Sequence, residues 1–305
     1  MKSSLWSTTS PTSIRLEQFG LALRASPPRL SRADQLIFLC GANQREGVPS
    51  VRRQAVKSFL TLLSDANRVV YAEGVLAELA KIGNKGNVLD LEHEISQIAD
   101  KIIIILESES AFCELGAFSH PALRQKLIVV NDEHFSSSLS FINTGPLAAL
   151  YEKKAPVLWY PMSEDGVTQL DAIGSVFGGL EKATYAHPWG RSDRLHEDLA
   201  ALETNKPTLY LVHDLVLFTG PCSYEEMVAM LKRMFGDHRY DRLKKLLGVL
   251  RAAGLISSSL VGGSWVYRTH SPRPYLTYDK VDVSALTAAF RGFHLRTNPG
   301  RFSFA

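Results

Sequence analysis

Three glutamates crowd one short stretch, Glu107-Ser108-Glu109-Ser110-Ala111-Phe112-Cys113-Glu114, directly after the apolar run Ile102-Ile103-Ile104-Ile105-Leu106. Clustered carboxylates repel one another, a cost that a purely structural loop has no reason to carry. A short β-branched run ending in a polar loop reads as a buried parallel strand. The segment after it reads as a helix, with Ser110 as N-cap and His120-Pro121 as its end. Glu114 then falls in the first helical turn, just beyond the carboxyl end of a central strand, where open α/β sheets put their ligands. The helix dipole would help hold that carboxylate ionised, as a carboxylate nucleophile requires. A first-turn Glu also has a plainer role, a surface residue that satisfies the dipole. Against that stand Glu107 and Glu109 in the same loop, and small neighbours (Ser110, Ala111, Gly116, Ala117) that let a ligand approach.

The elements that must position Glu114 follow from hydrophobic periodicity. Leu36 to Gly41 is a strand running into a Gly turn, Ser50 to Leu63 a helix, Arg68 to Ala72 a second strand. Val75 to Ile82 and Leu89 to Ala99 are helical, with the loop Gly83 to Asn87 between them. The Ile102 strand, the Glu114 helix and the strand Lys126 to Val130 complete a β-α-β alternation. That order predicts a Rossmann- or flavodoxin-like α/β fold, a parallel sheet with helices on both faces. No GxGxxG fingerprint follows the first strand and no Walker loop occurs. Arg52 and Arg53 open the first helix of this domain, as a phosphate site or as a solvated charged end.

With 305 residues, 45% hydrophobic and 21% charged, the chain has the composition of a two-domain globular protein. Neither a secretory signal nor a membrane-length apolar stretch is present. Cys40, Cys113 and Cys222 are far apart and in no metal-like spacing. They read as reduced thiols of a cytoplasmic protein, Cys113 as a small buried one. The net charge of +3 conceals an asymmetry: from Lys206 onward roughly 14 basic residues face 7 acidic ones, leaving about −4 on the rest. An acidic front and a basic back suggest a catalytic unit joined to something that touches a polyanion.

Residues 1–35 read as an N-terminal helical segment and 36–158 as the α/β domain. Residues 159–206, interrupted by Gly174, Gly178, Gly179, Pro188 and Gly190, read as a connecting region. From 207 to 305 the pattern is a winged helix-turn-helix domain. Leu209 to Phe218 is an apolar helix, Ser223 to Phe235 a helix with a Ser223/Glu226 capping box, and Tyr240 to Ala253 a third. Two strands then flank Gly262-Gly263, a hairpin signal. Arg239, Arg242, Lys244, Lys245 and Arg251 decorate the third helix, for nucleic-acid phosphate or for a protein partner.

Assembled, the first domain resembles the nucleoside 2-deoxyribosyltransferase family. The matching residues are Ile37 to Gly41, Asp90 to Asp100, Ala111 to Phe118 and Ser140 to Pro146. With a winged helix behind it, the chain resembles the effectors of type II retron defence systems. By that resemblance the carboxylate nucleophile falls on Glu114, the second acid on Glu92 with Asp90 as the nearby alternative, and a residue lent to a neighbouring subunit on Asn143. Phe38, Gly41, Arg52, Glu107 and Glu109 complete the expected substrate-binding set, with no metal. Phe38 stands where many relatives have Tyr, and Glu92 where they have Asp.

The resemblance implies an N-glycosidase toxin that consumes NAD+ as substrate and needs no cofactor. Its implied partners are the retron reverse transcriptase, the multicopy single-stranded DNA (msDNA) and further copies of itself in a stacked or filamentous assembly, with no membrane involved. Two other readings remain: hydrolysis or transfer on nucleotides or deoxynucleosides, and a non-enzymatic DNA-binding regulator that senses a nucleotide.

Overall fold

The computed structural model describes residues 10–31, 34–81, 88–185 and 202–303, without the side chains of 81 and 88–91. The chain divides into two compact units, Asp34–Trp189 and the combination of Met1–Ala33 with Gly190–Ala305.

The N-terminal elements α1 (Pro11–Ala25) and β1 (Arg29–Leu30) belong to the second unit. The first unit begins with β2 (Gln35–Cys40), then a small antiparallel ribbon, β3 (Asn43–Arg45) and β4 (Val48–Pro49). It continues through α2 (Val51–Leu63), β5 (Asn67–Val70), α3 (Ala72–Lys81), α4 (Val88–Ile98), β6 (Lys101–Ile105), α5 (Glu109–Phe118) and β7 (Leu127–Asp132). It closes with α6 (Ala148–Glu152), β8 (Val157–Tyr160) and α7 (Phe177–Thr184). The five long strands form one parallel sheet in the order β5-β2-β6-β7-β8.

The strands are buried on both faces, which is why they read as continuous apolar runs rather than as alternations. Their period of two nonetheless sorts the side chains. Ile37, Leu39, Ile103, Ile105, Ile128 and Val130 meet Val56 and Leu60 of α2 and Leu180 of α7 in one core cluster. On the intervening positions Phe38 turns its ring edge to Phe118 of α5, 6.1 Å between centroids. Chain order reverses between β2 and β6, so the topological switch point lies at their carboxyl ends, beside the start of α5.

The stretch expected to connect two domains is instead largely built into this sheet. Strand β8 is its edge, and Tyr160, Ile173, Val176 and Leu180 join the core. Of the glycines that suggested a loop, Gly179 serves close packing: a Cβ there would lie 2.8 Å from Leu158. Pro188 and Gly190 lie outside the described residues.

The second unit contains α8 (Lys206–Thr219), β9 (Cys222–Ser223), α9 (Tyr224–Phe235), α10 (Arg242–Ala252), β10 (Ile256–Val261), β11 (Ser264–Thr269), β12 (Leu276–Thr277) and α11 (Val283–Thr297). Strands β10, β11 and β9 form an antiparallel sheet in that order, with the β10–β11 turn at Gly262-Gly263. Ser223 and Glu226 make the expected capping box on α9. The N-terminal helix is no separate preamble: α1 packs against α9 and α11, and β1 pairs with β12. Asp214 on the buried α8 accepts from the backbone N–H groups of Tyr275 and Leu276 and from the Tyr278 hydroxyl, stitching β12 to the helix.

Candidate active site

Helix α5 starts two residues earlier than its sequence suggests. Ser108, in extended backbone, is the N-cap and accepts from the Ala111 N–H at 3.3 Å, while Ser110 hydrogen-bonds to Ser108 at 2.9 Å. Glu109 is therefore the exposed first helical residue, and Glu114 sits in the second turn. The dipole acts mainly over the first turn and does little to keep Glu114 ionised. Its surroundings do the opposite. Burial and the negative charge of Glu92 push its carboxyl up to about 8, with Arg53 opposing and the Cys40 thiol hydrogen-bonded to it. Its Oε2 is buried and has no hydrogen-bond partner among the described residues.

The charges around Glu114 add to the effect of its burial. Arg53, 1% exposed, gives Nη1 and Nη2 to the two oxygens of Glu73 at 2.8 and 3.0 Å. It also donates to the Leu39 and Ala42 carbonyls and to Asn43 Oδ1, which places its cation at the end of β2. Burial would raise the Glu73 carboxyl, but these bonds hold it below the ordinary range. The one arginine is thus committed to one carboxylate. Glu92 on α4 is raised by burial and by Glu73, and Glu114 is raised above it. With its carboxyl pushed up to about 8, Glu114 holds a proton at neutral pH. Asp90 lies on α4, but its side chain is outside the described residues.

Other expected site residues do different work. Arg52 offers no phosphate site: its Nε and Nη2 bind Asp171 at 2.9 and 2.8 Å and its Nη1 binds Glu107 at 3.2 Å, with the side chain 3% exposed. Glu107 also accepts from the Ser50 hydroxyl at 2.6 Å and the Ala42 N–H at 3.0 Å. It clasps the loop after β6 to the N-cap of α2, so its oxygens are taken. Gly41 serves this clasp, since a Cβ there would lie 2.8 Å from Glu107 Oε1 and the backbone has φ +151°. Phe38 is a fully buried core ring rather than a ligand contact. Cys113, expected to be buried, is exposed.

Asn143 opens a π-helical turn and gives both amide hydrogens to its own loop, to the carbonyls of Phe135 and Ser138 at 2.7 Å each. Its bonds involve none of the carboxylates above. A cavity of about 720 Å³ opens beside the clasp, at the carboxyl ends of β7 and β8, lined by Asp132, Glu133, His134 and Phe135 among others. Sequence reasoning passed over those residues, and over Glu73 and Cys40. Glu73 had a usable signal, a carboxylate three residues beyond the second strand.

On the second unit, Arg239 and Arg242 are exposed and Lys244, Lys245 and Arg251 half-buried. The Lys244 ammonium stands 5.2 Å from the Tyr224 ring centroid, and Arg251 Nε donates to Ser258 Oγ at 3.4 Å. The opposite face of α10 (Leu243, Leu246, Leu247, Leu250) is buried, so the basic residues form its outward side.

The sequence profile of the STM3845 retron effector protein family matches residues 49–258, which covers both the carboxylate cluster and α10. The chain is a member of this retron effector family. A relative from Escherichia coli retron Ec73 is 33% identical over 279 residues, covering 88% of this chain and 87% of the relative. One from retron Ec86 of the same organism is 38% identical over 118 residues, 37% of this chain and 36% of the relative. Both carry the name of a candidate ribosyltransferase/DNA-binding protein. No helix of this retron effector is long and apolar enough to cross a membrane, among the described residues.

Proposed function

We propose that this retron effector is a toxin that hydrolyses the N-glycosidic bond of NAD+, with Glu114 facing the anomeric carbon of the nicotinamide ribose. The observation that carries the reading is the surplus of carboxylate at the sheet's switch point. Arg53 is paired with Glu73, Glu92 adds a further negative charge near Glu114, and one oxygen of Glu114 has no partner among the described residues. Cleavage of an N-glycoside builds positive charge on the sugar, and a desolvated carboxylate stabilises that charge strongly. NAD+ suits such a site because its nicotinamide is already cationic. A cation bound there lowers the cost of ionising Glu114, so substrate binding prepares the carboxylate.

In the reaction the C1′–N bond breaks and its electron pair returns to the nicotinamide ring nitrogen, giving neutral nicotinamide. Glu114 traps the ribosyl cation covalently or holds it as an ion pair. Water then adds to C1′, breaking the bond to the Glu114 oxygen where one has formed, and its proton passes to the Glu92/Glu114 pair, leaving ADP-ribose. Nicotinamide leaves without protonation, so no strong general acid is required. The relatives' ribosyltransferase name supports chemistry at a sugar carbon and keeps transfer to an acceptor, on nucleotides or deoxynucleosides, as the second reading.

The second unit supports control by retron components. Its α8–α9–α10 arrangement followed by the β10–β11 hairpin is read here as a winged helix, whose basic outer side would grip the msDNA or the reverse transcriptase. Asn143 would complete the site of a neighbouring copy within an assembly. Incubating the triggered effector complex with NAD+, purine deoxynucleosides and deoxynucleotides tests the reading. Nicotinamide release that vanishes in Glu114→Gln supports it. Free adenine in its place moves the assignment to deoxynucleosides, and no released base from any substrate leaves a DNA-binding regulator.

A further inference from the structure

We propose that the second unit carries a separate pocket for a phosphate monoester, between the end of α8, the segment leaving β11, and α11. A cavity of about 420 Å³ lies there, within the range of small-ligand sites. Its polar lining is Arg268, Thr269, His270 and Ser271 from the β11 end, with Thr287 and Arg291 from α11. No carboxylate lines it. The lining therefore combines two guanidinium groups with no acidic residue, while the Thr287 and Ser271 hydroxyls donate to the Val283 and Arg273 carbonyls; guanidinium groups are the donors that phosphate oxygens favour.

Two independent observations agree with an anionic occupant. Arg291 is exposed and forms no ion pair or hydrogen bond with any described residue, although it lines a formed cavity. His270 reports the local potential: burial, then the charges of Arg268 and Arg251, lower its proton affinity. A dianion would relieve the repulsion that these cations impose on one another. The remaining wall is apolar, from Val216 and Leu217 to the ring of Phe302, which offers a surface for a base or sugar. The site is distinct from the outer side of α10, none of whose basic residues lines it, and it does not depend on the reading of Glu114.

The phosphate can come from a free nucleotide or from the phosphorylated end of a nucleic-acid strand. Calorimetric titration of the full chain with AMP, adenosine, and a short oligonucleotide with either a 5′-phosphate or a 5′-hydroxyl distinguishes the two. Binding of AMP but not adenosine identifies a small-ligand site. Binding only of the phosphorylated strand, about tenfold or more over its hydroxyl form, identifies a strand-end site. In either case Arg291→Glu should weaken binding by about tenfold or more, and Glu114→Gln should leave it unchanged. Arg291→Glu alters an exposed side chain and should leave the thermal transition where it was. Binding indifferent to the phosphate, or unaffected by Arg291→Glu, overturns the proposal.

Discussion

Arg52 and Arg53 are neighbours in sequence and both buried, yet they anchor opposite kinds of carboxylate site. Arg52 closes a clasp in which every charge has partners: Glu107 accepts from Ser50, Ala42 and Arg52, and Asp171 accepts from Arg52, Tyr160 and the Ile173 N–H. Burial still leaves Glu107 above the ordinary carboxylate range, but its donors fix its geometry. Arg53 is matched to Glu73 alone, which leaves Glu92 and Glu114 short of positive charge and Glu114 Oε2 short of a donor. A buried acid with a donor for each oxygen holds a fold together, whereas one left in deficit is poised to meet a cation. Identical residue types in one unit are therefore fully paired around Arg52 and left short of positive charge around Arg53.

The widest separation between the two sites should appear on removing one charged side chain from each. Glu114→Gln should lower glycosidase turnover by about 10²–10⁴-fold with no loss of thermal stability. Arg52→Met should instead destabilise the α/β unit by about 3–5 kcal/mol, because it strands Glu107 and Asp171 without their cation. Activity assays and chemical denaturation of both variants check the pair. Comparable stability losses in the two would erase the distinction.

A second effect follows from the direction of the Glu114 shift. Attack needs the ionised form, so kcat/KM for the glycosidic substrate should climb with pH and level off above about 8. Glu92→Gln removes a like charge and should move that midpoint downward. A profile already flat from pH 6 would break the link between the cluster and the reaction. Stability should run the other way. Between the ordinary value of 4.5 and about 8 the folded chain holds a proton on Glu114 that the unfolded chain has released. Stability therefore falls as pH rises through that window. Glu114→Gln should remove this fall, so its melting-temperature advantage over the parent should widen by several degrees from pH 5 to pH 9. Thermal scans at both pH values measure it.

The fold was more legible in the sequence than the site. Runs such as Ile102 to Leu106 announce doubly covered parallel strands because no other setting needs so much unbroken apolar surface. The failures arise where a helical turn or a partner distant in sequence overrides the local signal. Gly174, Gly178 and Gly179 read as loop but sit in helical turns, one of them tight against Leu158. Arg52 reads as a phosphate ligand because sequence does not reveal that Asp171, more than a hundred residues later, reaches it. Glu114 stood out in the sequence, but the dipole argument for its ionisation fails. The N-cap two residues upstream places it beyond the first turn, and burial and Glu92 raise its carboxyl instead.

The smallest expected effect concerns the exposed counterpart of these buried charges, the basic side of α10. Reversing Lys244 and Lys245 to Glu should weaken association with msDNA in a salt-dependent way, reducing the slope of log affinity against log salt by roughly one per lost phosphate contact. An unaltered slope with weakened assembly would assign that face to a protein partner.

The account rests on a deficit of positive charge at Glu114, and the carboxyl carbon of that residue reports it directly. Carbon-13 NMR of glutamate-labelled protein, with Glu114→Gln identifying the resonance, gives its titration. The midpoint should lie near 8 and drop in Glu92→Gln. A midpoint in the ordinary glutamate range near 4.5, indifferent to Glu92, would contradict the account.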